Sequence, residues 1–122
     1  MSARKQILVV DDEPQVCQAV KMLLEFDGHT VTTAGLGQEA LDLLSSSQFD
    51  LVTTDYAMPG MNGDELAAAI KSRLPDQPVI MITAHAEILK AAARPLSAVD
   101  ALVSKPFQLQ DLRDAVQRAT TP

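Results

Sequence analysis

Apolar residues along this chain gather into short runs, and four of the runs lead into a residue that can handle a phosphate or a metal ion. Ile7-Leu8-Val9-Val10 leads into Asp11-Asp12, and Leu51-Val52-Thr53-Thr54 into Asp55. Val79-Ile80-Met81-Ile82 leads into Thr83, and Ala101-Leu102-Val103-Ser104 into Lys105. Near-continuous apolar runs of this length read as strands buried on both faces of a parallel sheet. A fifth run, His29 to Ala34, is less apolar but carries Thr30, Val31, Thr32 and Thr33, which reads as a strand nearer an edge with His29 as a turn residue at its start.

Helical periodicity fills the intervals. Glu13-Pro14 opens a helix, with proline suited to the first turn and an acidic residue complementing the helix dipole. Val16, Val20, Leu23 and Leu24 share a face, and Gly28 stops the helix. A second helix is predicted over Gly37 to Ser46, and a third over Asp64 to Leu74 with Leu66, Ile70 and Leu74 inward. Ala86 to Arg94, ended by Pro95, predicts a fourth, Ala-rich and therefore less firmly docked. A last helix spans about Gln108 to Thr120, with Leu109, Leu112 and Val116 at helical spacing. Between the third strand and third helix lies a loop rich in turn residues, Tyr56 to Gly63.

Five strands alternating with five helices, joined by right-handed crossovers, predict an α/β fold: a doubly wound five-stranded parallel sheet. The order 2-1-3-4-5 is the simplest such solution and sets strands 1 and 3 side by side. At 122 residues the chain predicts a single domain over 1–122, with its core about 6–119 and residues 120–122 as a terminus or the start of a linker. The composition, 47% hydrophobic and 21% charged, is that of a globular protein. No stretch reaches the length of a membrane span and residues 1–6 lack the apolar core of a signal peptide, so the expectation is a cytoplasmic protein with no membrane association. A net charge of −6 argues against direct nucleic-acid binding by this domain. The one cysteine, Cys17, falls on or near a buried helix face and reads as a small apolar filler.

Parallel strands all point one way, so Asp11, Asp12, Asp55, Thr83 and Lys105 converge on one rim of the sheet, where open α/β sheets place ligands. Three carboxylates that close cannot all stay ionised unaided, because like charges raise one another's pKa. A hard divalent cation resolves the conflict, and Mg²⁺ commonly takes one or two carboxylates, several waters and a substrate phosphate. Asp55 beside such a cation is a competent nucleophile towards phosphorus. Lys105 and Thr83 supply the charge and the hydroxyl that phosphoryl oxygens require. Taken singly, an Asp at a strand end is more often a helix cap and a Lys a solvated side chain. The co-occurrence of all five at the same strand ends overrides those readings. Lys105-Pro106 further suggests a fixed peptide, cis included, that aims the ammonium inward.

Four motifs in order, Asp11-Asp12, Asp55 through Gly63, Thr83-Ala84 and Lys105-Pro106-Phe107, resemble the receiver domains of two-component response regulators. The resemblance runs from about Gln6 to Ala119. It implies a flavodoxin-like fold. It also implies that Asp55 accepts a phosphoryl group from a histidine kinase or histidine phosphotransfer protein in a Mg²⁺-dependent reaction, with Mn²⁺ as a substitute. By the same resemblance Asp12, Asp55 and the backbone carbonyl of Ala57 ligate the metal, Asp11 acts mainly through water, and Thr83 and Lys105 bind phosphoryl oxygens. The domain would catalyse only its own phosphorylation and dephosphorylation and would control a linked output domain or downstream protein. A homodimer would use the predicted fourth helix, the fifth strand and the last helix. Ala57 and His85 would flank the path of attacking water, although for His85 a solvated rim residue is the plainer reading. The position three before Lys105, usually aromatic in the family, is Leu102, and leucine cannot swing a large ring between surface and interior. A receiver-like interaction module that works without phosphorylation is the alternative this substitution favours. A metal-dependent phosphatase ranks last, because Ala57 stands where a second acid would be needed.

Overall fold

In the computed structural model, which describes residues 4–84 and 98–121, all five apolar runs become strands of one sheet. In chain order the elements are β1 (Gln6–Val10), α1 (Pro14–Phe26), β2 (Thr30–Ala34), α2 (Gly37–Ser46), β3 (Leu51–Thr54), α3 (Gly63–Arg73), β4 (Val79–Thr83), β5 (Ala101–Ser104) and α4 (Leu109–Thr120). The sheet is parallel throughout and ordered β2-β1-β3-β4-β5, as expected, so the less apolar β2 does take an edge. The helix predicted over 86–94, with His85 and Pro95, lies outside the described residues.

Alternation along β1 sorts the core into two layers. Ile7 and Val9 face one way and pack with Cys17, Val20 and Leu24 of α1 and Leu112, Ala115 and Val116 of α4. Leu8 and Val10 face the other and pack with Ala40 and Leu41 of α2 and Leu66, Ala67 and Ile70 of α3. Both faces of the sheet are thus covered, which is why its central strands read as unbroken apolar runs.

Local signals explain the helix ends. Pro14 takes the first helical position of α1, where its missing N–H is no loss. Glu13 is the N-cap, but its side chain makes no capping bond. Instead its N–H donates to Asp11 Oδ1 at 2.9 Å, tying the helix start to the strand end. Gly28 ends the segment with φ +93° while its N–H donates to the Glu25 carbonyl at 2.9 Å. α3 opens with a capping box: Asn62 and Glu65 exchange side-chain-to-backbone bonds of 2.8 and 3.0 Å.

Two side chains depart from expectation. Leu74, expected inward, is 40% exposed, because α3 ends at Arg73 and Leu74 caps it with a non-helical backbone. His29, expected as an ordinary turn residue, is buried, and its Nδ1 accepts the Lys5 N–H at 3.1 Å. Burial, with Lys5 nearby, lowers its pKa, and Asp27 opposes the shift.

Candidate functional site at the C-terminal rim

Register brings the acidic residues together. Val10 pairs with Thr54, so the residues that follow, Asp11 and Asp55, leave adjacent strands side by side. The Asp55 N–H extends the ladder by donating to the Val10 carbonyl at 3.1 Å. Carboxylate oxygens of Asp11, Asp12 and Asp55 all lie within 4.8 Å of one another. On the other side Thr83 pairs with Ser104, and the Lys105 N–H donates to the Thr83 carbonyl at 2.9 Å. The Lys105-Pro106 peptide is cis, and the Lys105 ammonium lies 3.3 Å from Asp11 Oδ2 and 3.6 Å from Asp55 Oδ2. The sequence thus predicted Asp11, Asp12, Asp55 and Lys105 as neighbours, and they are. Thr83 is fully buried at the end of β4, joined to this group through the backbone of Lys105. Ala57 is exposed on the loop two residues beyond Asp55.

The environments of the three carboxylates differ. Asp55 is 6% exposed, and its Oδ1 accepts the Tyr56 N–H at 2.8 Å, which fixes the plane of the group. Asp11 is 5% exposed, and Asp12 faces more solvent than either neighbour. Burial pushes the pKa of Asp11 up, and the negative charge of Asp55 adds to the shift. The Glu13 N–H and the Lys105 ammonium oppose it without cancelling it. One ammonium against three carboxylates leaves an excess of negative charge carried on oxygen donors, which is the donor chemistry of a hard divalent cation.

Residues that the sequence did not single out build the loop around Asp55. Thr54 Oγ1 donates to the Asp55 carbonyl at 2.9 Å and lies 4.0 Å from Met58 Sδ. Met58 and Met61 are half-buried against the α2–α3 layer. The spacing Asn62-x-x-Glu65 is a capping-box signature that could have marked the start of α3. Gly63 ends the Asp55–Gly63 motif, but nothing local marks what it contacts.

A family model described as "Response regulator receiver domain" matches residues 7–117. The chain is 36% identical over 120 residues to the response regulator MprA of Mycolicibacterium vanbaalenii, covering 96% of this chain and 52% of that protein. It is 35% identical over 113 residues to the transcriptional regulatory protein GlrR of Escherichia coli K12, covering 93% of this chain and 26% of that protein. The chain therefore spans about half the length of MprA and about a quarter of GlrR. Among solved structures, the response regulator TrrA from Thermotoga maritima in complex with Mg(2+)-BeF superposes with a TM-score of 0.86 at 36% identity, covering 94% of this chain and 98% of that one.

Proposed function

From the premise that this chain belongs to the response regulator receiver domains, a signalling family rather than one of classical enzymes, we propose that Asp55 is its phosphoacceptor. The donor is a histidine kinase or a histidine phosphotransfer protein. The carboxylate of Asp55 forms the new O–P bond, the P–N bond of the donor phosphohistidine breaks, and the imidazole leaves with a proton. The single observation that carries this reading is the meeting of three carboxylates within 4.8 Å of one another, with Lys105 3.6 Å from Asp55.

Asp12, Asp55 and the carbonyl of Ala57 would hold Mg²⁺, or Mn²⁺ in its place, with Asp11 acting mainly through water. When bound, the cation neutralises charge on the carboxylates and the transferring group. The chain's own residues do the rest. The Tyr56 N–H holds one oxygen of Asp55 and so orients the other. Lys105, already drawn to Asp11 and Asp55, offers its charge to a phosphoryl oxygen, and the Thr83 hydroxyl offers a hydrogen bond to another. Phosphorylation then controls an output, linked on the same chain or carried by a separate protein, in the cytoplasm where the kinase delivers the group. Homodimerisation through β5 and α4, with the predicted fourth helix, belongs to the same proposal.

Labelling tests it. Acetyl phosphate or phosphoramidate with Mg²⁺ should add one phosphoryl group by intact-mass measurement, and Asp55→Ala should reduce this to background. Robust labelling of that variant would falsify Asp55 as the acceptor. Beryllofluoride distinguishes the phosphorylation-independent module: the switch requires NMR shifts in β5, and the module none.

A further inference from the structure

The geometry points to Gly63 as a positioning residue for Asp55, an inference that rests on the phosphoacceptor reading and extends it to the residue that aims the carboxylate. The loop that leaves the sheet at Asp55 returns to it at Gly63. There the Gly63 N–H donates to the Tyr56 carbonyl at 2.7 Å, closing the neck of the loop. A Cβ on Gly63 would collide with the Asp55 carbonyl oxygen and stand 2.9 Å from the Asp55 carbonyl carbon and 3.0 Å from Tyr56 Cα. All three are backbone atoms, which have no rotamer by which to yield.

The requirement differs in kind from that at Gly28 and Gly60, and the neighbours are backbone rather than the flexible Met61 side chain that a Cβ on Gly37 would meet. Gly28 and Gly60 have positive φ, +93° and +78°, with nothing within 4 Å of a built Cβ, so conformation selects them. Gly63 has no positive φ; space selects it.

The peptide that a methyl group would displace is the one between Asp55 and Tyr56. Its N–H holds Asp55 Oδ1 at 2.8 Å, and its carbonyl accepts Thr54 Oγ1 at 2.9 Å. It is also the root from which the chain runs to Ala57. A shift of that peptide to accommodate a side chain at 63 therefore rotates the Asp55 carboxylate and moves the loop beyond it. Close backbone approach at one residue thus sets the aim of the site.

Mg²⁺ titration of the metal-free protein tests the inference, followed by calorimetry and by fluorescence of Tyr56, the chain's one tyrosine in the absence of tryptophan. Each variant is measured well below its own melting temperature, which a thermal melt supplies. Gly63→Ala should weaken Mg²⁺ binding about tenfold or more, the size of loss typical when the support of a metal ligand is removed. Gly28→Ala, strained at a turn remote from the site, should melt lower yet bind Mg²⁺ as the wild type does. Thr54→Val removes one bond from the same peptide without a clash and should weaken binding by a smaller factor. A Gly63→Ala protein that binds like the wild type overturns the inference. If Gly63→Ala does not fold, Thr54→Val decides: wild-type binding by that variant overturns it and weakened binding supports it. Absence of Mg²⁺ binding by the wild type would instead overturn the phosphoacceptor reading itself.

Discussion

At the N-terminal rim of the sheet, carboxylates close the structure; at the C-terminal rim they crowd. Asp50 accepts the Gln6 N–H at 2.7 Å, joining the start of β3 to the start of β1. Asp100 accepts the Val79 N–H and the Lys71 ammonium, both at 2.8 Å, and so ties β5, β4 and α3 together. Lys71 also donates to the Gln77 carbonyl at 2.6 Å. At the opposite rim Asp11, Asp12 and Asp55 stand within 4.8 Å of one another, with Lys105 beside two of them. The same residue type therefore stabilises the fold at one end and strains it at the other. What separates the ends is the ratio of donors to charge: a backbone N–H and a lysine meet Asp100, whereas at the site one lysine and the N–H groups of Glu13 and Tyr56 serve three carboxylates crowded together.

That contrast is sharpest as a difference in sign. Asp100→Ala should destabilise the protein by about 1–3 kcal/mol in urea unfolding, most of it from the charged hydrogen bond to Val79. The ion pair with Lys71 is partly exposed and adds little. Mg²⁺ affinity should not change. An equal loss of Mg²⁺ binding would break the separation of the two rims.

Asp11→Asn should act in the opposite direction, with a smaller effect. Folded Asp11 holds its proton more tightly than the ordinary value of 3.8, so its ionised form costs stability. The cost is fully present above the raised pKa and fades as the pH falls towards 3.8. The asparagine retains an oxygen for the Glu13 N–H while shedding the charge. Thermal melts of the metal-free variant at neutral pH should lie above the wild type, the gap should narrow on acidification, and added Mg²⁺ should stabilise the variant less. A lower melting temperature at neutral pH would mean that the pairing with Lys105 outweighs burial.

The smallest effect is expected at the N-terminal rim. His29 has its pKa lowered from 6.5 by burial, so the unfolded chain takes up a proton first as the pH falls. Stability should decline below about pH 6.5 and level off once the pH has passed through the lowered folded value. His29→Gln should lack that decline, as melts across the range would show. An unchanged profile would assign the acid limb to other groups.

The sheet was legible in the sequence because burial on both faces forces unbroken apolar runs, and strand order followed from the crossover rule. Asp11, Asp12, Asp55, Thr83 and Lys105 were legible because each stands just after a run or at its last position, where one-residue periodicity fixes its place. The failures have a common cause. His29 and Leu74 flank helix ends, where burial depends on how the chain turns rather than on periodicity. Gly63 was legible as a turn residue and as the end of the Asp55–Gly63 motif, but its role was not, since the backbone it approaches lies eight positions earlier and no pattern records a tertiary contact of that kind. The difference between a glycine chosen for φ and one chosen for space appears only in three dimensions.

The bidentate bond between Arg113 and Asp27, 2.7 and 2.8 Å across 86 residues of sequence, pins the end of α1 to α4. The same two helices share the layer that covers Ile7 and Val9. During synthesis from the N-terminus, half of the hydrophobic core must therefore wait for the last helix to emerge. Until then α1 alone covers that face of β1, and the apolar surface left open is the kind through which partly folded chains aggregate.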